Sequence, residues 1–107
     1  MLQRKKILVV GDVMLDSYVY GSIDRISPEA PIPVLKYGHQ ESTAGGAANV
    51  ACNIAGLGSF AYVISPTADD ESKHKIIEAL SKFSSIKTLF LDDADATTTK
   101  TRYMSQG

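Results

Sequence analysis

Three groups of residues have types and spacings suited to chemistry. Asp12 directly follows the run Ile7-Leu8-Val9-Val10-Gly11, and Asp16 lies four residues further on. In open α/β sheets ligands bind beyond the carboxyl ends of the strands, so these two carboxylates flank the mouth of a sheet. An ionised carboxylate only accepts hydrogen bonds, which matches the hydroxyls of a polyol. Loop capping by Asp accounts for the same residues without any ligand. The second group is Gly45-Gly46 with Asn49 one turn later. Backbone without side chains at a helix start lets a sugar or an anion approach free N–H groups; a tight turn with close helix packing is the structural alternative. The pattern is neither G-x-G-x-x-G nor G-x-x-x-x-G-K-S/T, so it indicates no dinucleotide or P-loop site. The third group is Thr97-Thr98-Thr99-Lys100-Thr101-Arg102. Strand alternation puts Lys100 and Arg102 on one face, about 7 Å apart. A point charge beside a planar fork suits a phosphate, although exposed edge strands also carry such cations to deter aggregation.

Other chemistry lacks its residues. His39 and His74 have no metal-ligand spacing, so both read as surface histidines and no metal site is expected. Cys52 sits among small helical residues and reads as buried and inert. No Ser occupies a G-x-S-x-G elbow, which leaves a hydrolase triad without support.

The elements that must position these groups follow from patterning. Ile7–Val10 is a continuous aliphatic run rich in β-branched residues and reads as a strand buried on both faces, typical of parallel sheets. Asp16–Tyr20 and Ile32–Tyr37 read as strands of a small separate sheet or edge, because Pro31 and Pro33 cannot donate to a ladder. Ser27–Pro31 between them reads as a stiff loop. A helix of small residues follows the glycine pair and stops at Gly56 or Gly58. Phe60–Ile64 reads as a second buried strand. Asp69-Asp70-Glu71 then complements the dipole of a second helix, whose buried face is marked by Ile76, Ile77, Leu80 and Phe83. Ile86–Leu91 and Thr97–Met104 complete the strands, with a loop over residues 92–96. This order predicts an α/β fold with a parallel central sheet and a projecting accessory sheet. No helix follows the last strand, so the sheet is expected to show an uncovered face and a bare edge, as the first part of a larger domain would.

Composition limits the classes of function. The 107 residues carry eleven Lys/Arg against twelve Asp/Glu and are 44% apolar, as in one ordinary globular domain. Balanced charge provides no nucleic-acid footprint. One cysteine admits no internal disulfide, which fits a reducing, cytoplasmic setting. The basic start leads into only four apolar residues, too few for a signal peptide, and no window approaches the roughly 20 needed to cross a bilayer.

Taken together, the segments resemble the ribokinase-like (PfkB) carbohydrate kinases, and within them the heptose-7-phosphate kinases, including bifunctional forms with an appended nucleotidyltransferase. The resemblance rests on Ile7 to Asp16, on Arg25-Ile26-Ser27-Pro28-Glu29-Ala30-Pro31-Ile32-Pro33-Val34, on Gly45-Gly46-Ala47-Ala48-Asn49-Val50-Ala51 and on Thr99-Lys100-Thr101-Arg102. The second of these points to the heptose branch. The resemblance implies transfer of the ATP γ-phosphate to the anomeric hydroxyl of D-glycero-D-manno-heptose 7-phosphate with Mg²⁺, in ADP-heptose and lipopolysaccharide core synthesis. Asp16, Gly45, Gly46 and Asn49 match sugar-holding positions, Asp12 lies beside them, and Lys100 and Arg102 would face the sugar's own phosphate. The small sheet, residues 16–43 with 97–105, matches a lid that closes over the sugar and joins two subunits into a homodimer. Ser65-Pro66-Thr67-Ala68-Asp69 departs from the family's Gly-x-x-Gly-Asp turn. The catalytic base of the family lies in a Gly-x-Gly-Asp motif expected beyond Gly107, together with the anion hole and the nucleotide site. Residues 1–107 are therefore expected to be the N-terminal, sugar-binding portion of one kinase domain, inactive alone and binding neither ATP nor Mg²⁺ tightly. A non-catalytic sugar-binding or dimerisation module and a ribokinase-like kinase of another sugar are the competing readings.

Overall fold

The computed structural model describes residues 4–105. Met1–Gln3 of the basic start and Gln106–Gly107 at the end of the expected domain portion lie outside them. The chain runs β1 (Lys6–Val10), β2 (Val13–Ile26), β3 (Pro33–Gly46), α1 (Ala47–Gly56), β4 (Phe60–Pro66), α2 (Glu71–Leu80), β5 (Ile86–Leu91) and β6 (Thr99–Ser105). Two three-stranded sheets result, one ordered β1-β4-β5 and one ordered β3-β2-β6. The first is wholly parallel, pairing Val9 with Val63 and Val63 with Thr88. In the second, β2 and β3 form an antiparallel hairpin and β6 runs parallel to β2.

The first sheet is the α/β scaffold the aliphatic runs predict. Its covered face packs on both helices through Ala61, Val63 and Ile86 from the strands, Ala47, Ala48 and Ala51 from α1, and Ile76 and Leu80 from α2. Alanines at 0% exposure on both sides of the α1–β4 contact let backbone approach backbone closely. Ile76 is fully buried at the centre of this cluster. Ile76→Ala therefore costs about 2–5 kcal/mol, and a urea melt is expected to show a clearly lowered midpoint at an unchanged slope.

The other face of the sheet is open. Leu8, Val10 and Leu89 are 61%, 71% and 57% exposed, so β1 is parallel but not buried on both faces. Strand alternation sends Val9 and Val63 inward and Leu8, Val10 and Tyr62 outward, and among the described residues no helix covers the outward set. This is the uncovered face expected above. Ile77 also departs from expectation and is exposed. Ile76 and Leu80, four residues apart, occupy the line of α2 that faces the sheet, and Ile77 sits off it at the rim of a groove with Ile86 and Thr88.

The second sheet projects. β2 and β3 each run 14 residues, well beyond the short segments their aromatic and Pro-bearing stretches suggest. The Cα radius of gyration is 17.5 Å and the longest extent 59 Å, against about 13 Å for a globule of this length. At its tip the loop expected over Ser27–Pro31 is present and takes in Ile32 as well, with a 2.7 Å bond from the Ser27 N–H to the Ile32 carbonyl closing it. β3, which carries Pro33, lies at the sheet's edge.

Candidate functional site

One face of the projecting sheet gathers most of the residues singled out from the sequence. Register pairs Asp16 with Thr43 on one side and with Lys100 on the other, and Tyr18 with Glu41 and Arg102. Partners in register share a face, and alternate residues along a strand share it too. Asp16, Tyr18, Lys100 and Arg102 therefore present their side chains to the same side, with neighbouring strands about 4.8 Å apart. Among the described residues Asp16, Lys100 and Arg102 have no side-chain hydrogen bond or ion pair, and both cations are exposed on an edge strand.

Gly45 belongs to this cluster for a steric reason. A Cβ built there would collide with the Asp16 carboxylate, so only glycine lets Asp16 lie across the end of β3. Gly46 is the N-cap of α1 with φ 58° and ψ −133°, and its missing Cβ would strike the Asp12 carbonyl oxygen. That carbonyl accepts the Ala47 N–H at 2.9 Å. Asp12 thus closes the helix start with its backbone, and its exposed carboxylate is left without a partner among the described residues. The α1 start has no side-chain cap. Asn49, the third helical residue, is exposed there. Asp16, Gly45, Lys100 and Arg102 thus come together on the sheet face, while Asp12, Gly46 and Asn49 form the adjoining helix entrance. The two carboxylates are not paired with each other.

Two features escaped the sequence reading. The first is a row of rings beside the site, with Tyr18 stacked on Tyr20 at 6.5 Å and Tyr20 on His39 at 4.7 Å. Alternation along β2 carried the signal for the tyrosines, and only the hairpin register adds His39. The second is the polar network at the carboxyl ends of β4 and β5, where the departing Ser65–Asp69 turn sits. Ser65 Oγ accepts the Val13 N–H at 2.9 Å and so ties β2 to β4. Thr67 Oγ1 donates to Asp92 at 2.6 Å, and Lys73 Nζ donates to the same carboxylate at 2.7 Å. Asp70 accepts the Lys73 N–H with Oδ1 and the Thr97 N–H with Oδ2, each at 2.9 Å. Asp70 was foreseen as a charge at a helix start, and it is the N-cap of α2.

These bonds shift the two carboxyls. The Thr97 N–H, then the Lys73 N–H, hold Asp70 below the usual carboxylate range. The Lys73 ammonium, then the Thr67 hydroxyl, hold Asp92 below it, against opposition from Asp70. A carboxyl lowered in the folded state contributes stability that is full above its unfolded value, about 3.9, and is lost as pH falls through the lowered native value. His74 and Lys73 are the cations facing this pair. The expected result is a urea midpoint that drops below about pH 4 in the wild type and drops less in an Asp70→Asn/Asp92→Asn variant. Cys52 is partly buried rather than fully so, and that burial pushes its thiol up.

The same register puts Glu41 on this face, 3.9 Å from His39. Carboxylates, accessible backbone at a helix entrance and the two cations of β6 suit a polyol that carries a phosphate. Among the described residues no three His, Cys, Asp or Glu side chains are grouped to hold a metal ion. No helix among them is long and apolar enough to cross a membrane.

The sequence is 49% identical over 102 residues to a bifunctional protein HldE of Vibrio parahaemolyticus, covering 94% of this chain and 21% of that protein. It is 45% identical over 98 residues to a D-beta-D-heptose 7-phosphate kinase of Bordetella bronchiseptica, covering 92% of this chain and 31% of that one. The fold is similar to a carbohydrate kinase from Agrobacterium tumefaciens, with a TM-score of 0.73 and 26% identity over 92% of this chain and 31% of that one. The chain thus spans 21% to 31% of the length of these relatives. The profile of the pfkB family carbohydrate kinases matches residues 4–107, and with that match this chain belongs to the pfkB family of carbohydrate kinases.

Proposed function

We propose that this chain is the sugar-holding part of an ATP-dependent kinase that phosphorylates the anomeric hydroxyl of D-glycero-D-manno-heptose 7-phosphate, on the route to ADP-heptose and the lipopolysaccharide core. The observation that carries the proposal is the register that sets Lys100 beside Asp16 and Arg102 beside Tyr18 on the face next to Gly45. The choice of heptose rests on the relatives named for HldE and heptose 7-phosphate kinase.

In this reading Asp16 accepts hydrogen bonds from sugar hydroxyls, and the Gly45-Gly46 backbone with Asn49 and Asp12 closes around the ring. Lys100 and Arg102 hold the 7-phosphate, the first as a point charge and the second as a fork. The projecting sheet acts as a lid that excludes water from the sugar. Its exposed Ile23, Ile26, Ile32 and Tyr37 supply apolar surface for a second copy, which supports a homodimer joined through the lid. ATP bound with Mg²⁺ supplies the transferred phosphoryl group. A face on which Lys100 and Arg102 stand beside Asp16 and Glu41 does not fit the metal of such a complex, which takes anionic oxygen ligands. The family resemblance assigns nucleotide, metal and catalytic base to other parts of such a kinase, and the cytoplasm, where ATP is available, is the proposed compartment.

A substrate panel tests the proposal. Heptose 7-phosphate is expected to bind more tightly than fructose 6-phosphate or unphosphorylated heptose, and no ADP is expected when this chain is mixed with ATP, Mg²⁺ and sugar. Equal binding across the panel contradicts the heptose reading. ADP release dependent on heptose 7-phosphate contradicts the division of roles.

A further inference from the structure

The strand that carries both cations lies at a sheet edge. β6 is paired on one side only, to β2, and all seven of its residues are exposed. Of the residues before it, 92–98, Thr98 alone bonds β2, accepting the Leu15 N–H at 2.9 Å. A strand in this position is prone to slip, and a slip of one residue turns every side chain to the opposite face. Lys100 and Arg102 would then leave the face of Asp16 and Gly45 for the one occupied by Leu15 and Ser17.

Side-chain bonds gather at the strand's entrance. The Thr97 N–H donates to Asp70 Oδ2 at 2.9 Å. Thr97 Oγ1 accepts the Ala68 N–H at 2.9 Å and donates to the Ala68 carbonyl at 3.2 Å. Thr97 is 3% exposed, in contrast to the strand it precedes. Ser72, on the first turn of α2, shares a 2.7 Å hydroxyl bond with Thr99. Asp92, at the other end of the loop, is tied to Thr67 and Lys73. These contacts fall on residues 67–68 before α2 and on the start of α2, and Asp70 alone divides its two oxygens between that helix and the entrance to β6.

We propose that Asp70 is a positioning residue, which caps α2 with one oxygen and with the other latches Thr97, so that β6 enters in the register that presents Lys100 and Arg102 to the sugar phosphate. The latch itself stands on the geometry above, and its consequence for binding rests on the assignment of those two cations to the phosphate. The division of oxygens makes the two duties separable. Ser at position 70 still caps the helix but is too short to reach Thr97. Asn, with the same shape as Asp, keeps one acceptor and turns an N–H₂ toward the second N–H donor.

Hydrogen exchange with mass spectrometry, together with titration of heptose 7-phosphate, tests the latch in the 107-residue chain. In Asp70→Ser and Asp70→Asn the β6 amides are expected to exchange about tenfold or more faster, while the β4 amides and the later turns of α2 keep their rates. Affinity for heptose 7-phosphate is expected to fall about tenfold or more, with affinity for unphosphorylated heptose unchanged. In the wild type the Thr97 amide is expected to be protected, a measurement that needs no variant to fold. An unprotected Thr97 amide, unchanged β6 exchange, or loss of protection in α2 and β6 together overturns the latch. If the wild type binds no heptose 7-phosphate, the functional reading fails while exchange still decides the latch.

Discussion

Asp16→Ala is expected to reduce the affinity for heptose 7-phosphate by about a hundredfold or more while leaving the fold as stable as before. A hydrogen bond to a charged group contributes about 1.5–3 kcal/mol, and a carboxylate facing a polyol accepts two, so the lost affinity falls in the range of about 3–6 kcal/mol before water compensates. The fold is spared because, among the described residues, the Asp16 side chain has no partner to lose. Gly45→Ala is the matching test from the other side of the contact. The new methyl must displace the Asp16 carboxylate, so binding falls although the acid itself remains. Titration calorimetry with a urea melt of the same samples separates the two effects. A fall in melting midpoint that accounts for the lost binding would refute a role for Asp16 in the site.

Lys100→Met with Arg102→Met removes the phosphate and spares the sugar. Two charge-assisted contacts at about 1.5–3 kcal/mol each predict a loss of about a hundredfold or more in affinity for the phosphorylated sugar. Unphosphorylated heptose is expected to bind the double variant as it binds the wild type. The wild-type preference for the phosphorylated form should also weaken as salt is raised, and in the variant that dependence should vanish. Arg102→Lys is expected to recover only part of the loss, because an ammonium cannot grip two oxygens in one plane. All of β6 is exposed, so these substitutions should change stability by no more than about 0.5 kcal/mol. If both sugars weaken equally, the cations belong to the strand edge and not to the ligand.

The scaffold was legible where patterning is strong. Ile7–Val10, Phe60–Ile64 and Ile86–Leu91 are aliphatic or aromatic runs that make a parallel sheet, and Asp70 stands where a helix needs a cap. The open face of that sheet followed from the want of a covering helix, although the same strands read singly imply burial on both sides. The projecting hairpin was legible only in part. Ser22, Asp24 and Arg25 on β2 and Gly38 to Ser42 on β3 alternate no apolar face, since the arm stands in solvent, and no local signal sets 14 residues as their length. Among the site residues, types and spacing pointed to Asp16, the glycine pair and the two cations. Their union on one face depends on pairing β2 with a strand more than 80 positions away in sequence. The bonds that join Thr67 and Lys73 to Asp92 and Thr97 to Asp70 likewise link residues 19 to 27 positions apart, and such bonds leave no periodic trace in sequence.

The two sheets divide the work in this account. The parallel sheet is a platform, with an apolar face left open. In the proposed reading the projecting sheet carries the ligand-facing groups, and it is tied to the platform through Ser65 at β2 and through Asp70 at the entrance to β6. Acid, which protonates Asp70, should therefore loosen the projecting sheet before it unfolds the platform.

Isothermal titration of this chain with heptose 7-phosphate, followed by ATP with Mg²⁺, tests the central claim most directly. The account predicts saturable binding of the sugar phosphate, lost in Asp16→Ala and in the Lys100→Met/Arg102→Met variant, and no heat from the nucleotide. Nucleotide binding without sugar binding, or sugar binding that survives both variants, would contradict it.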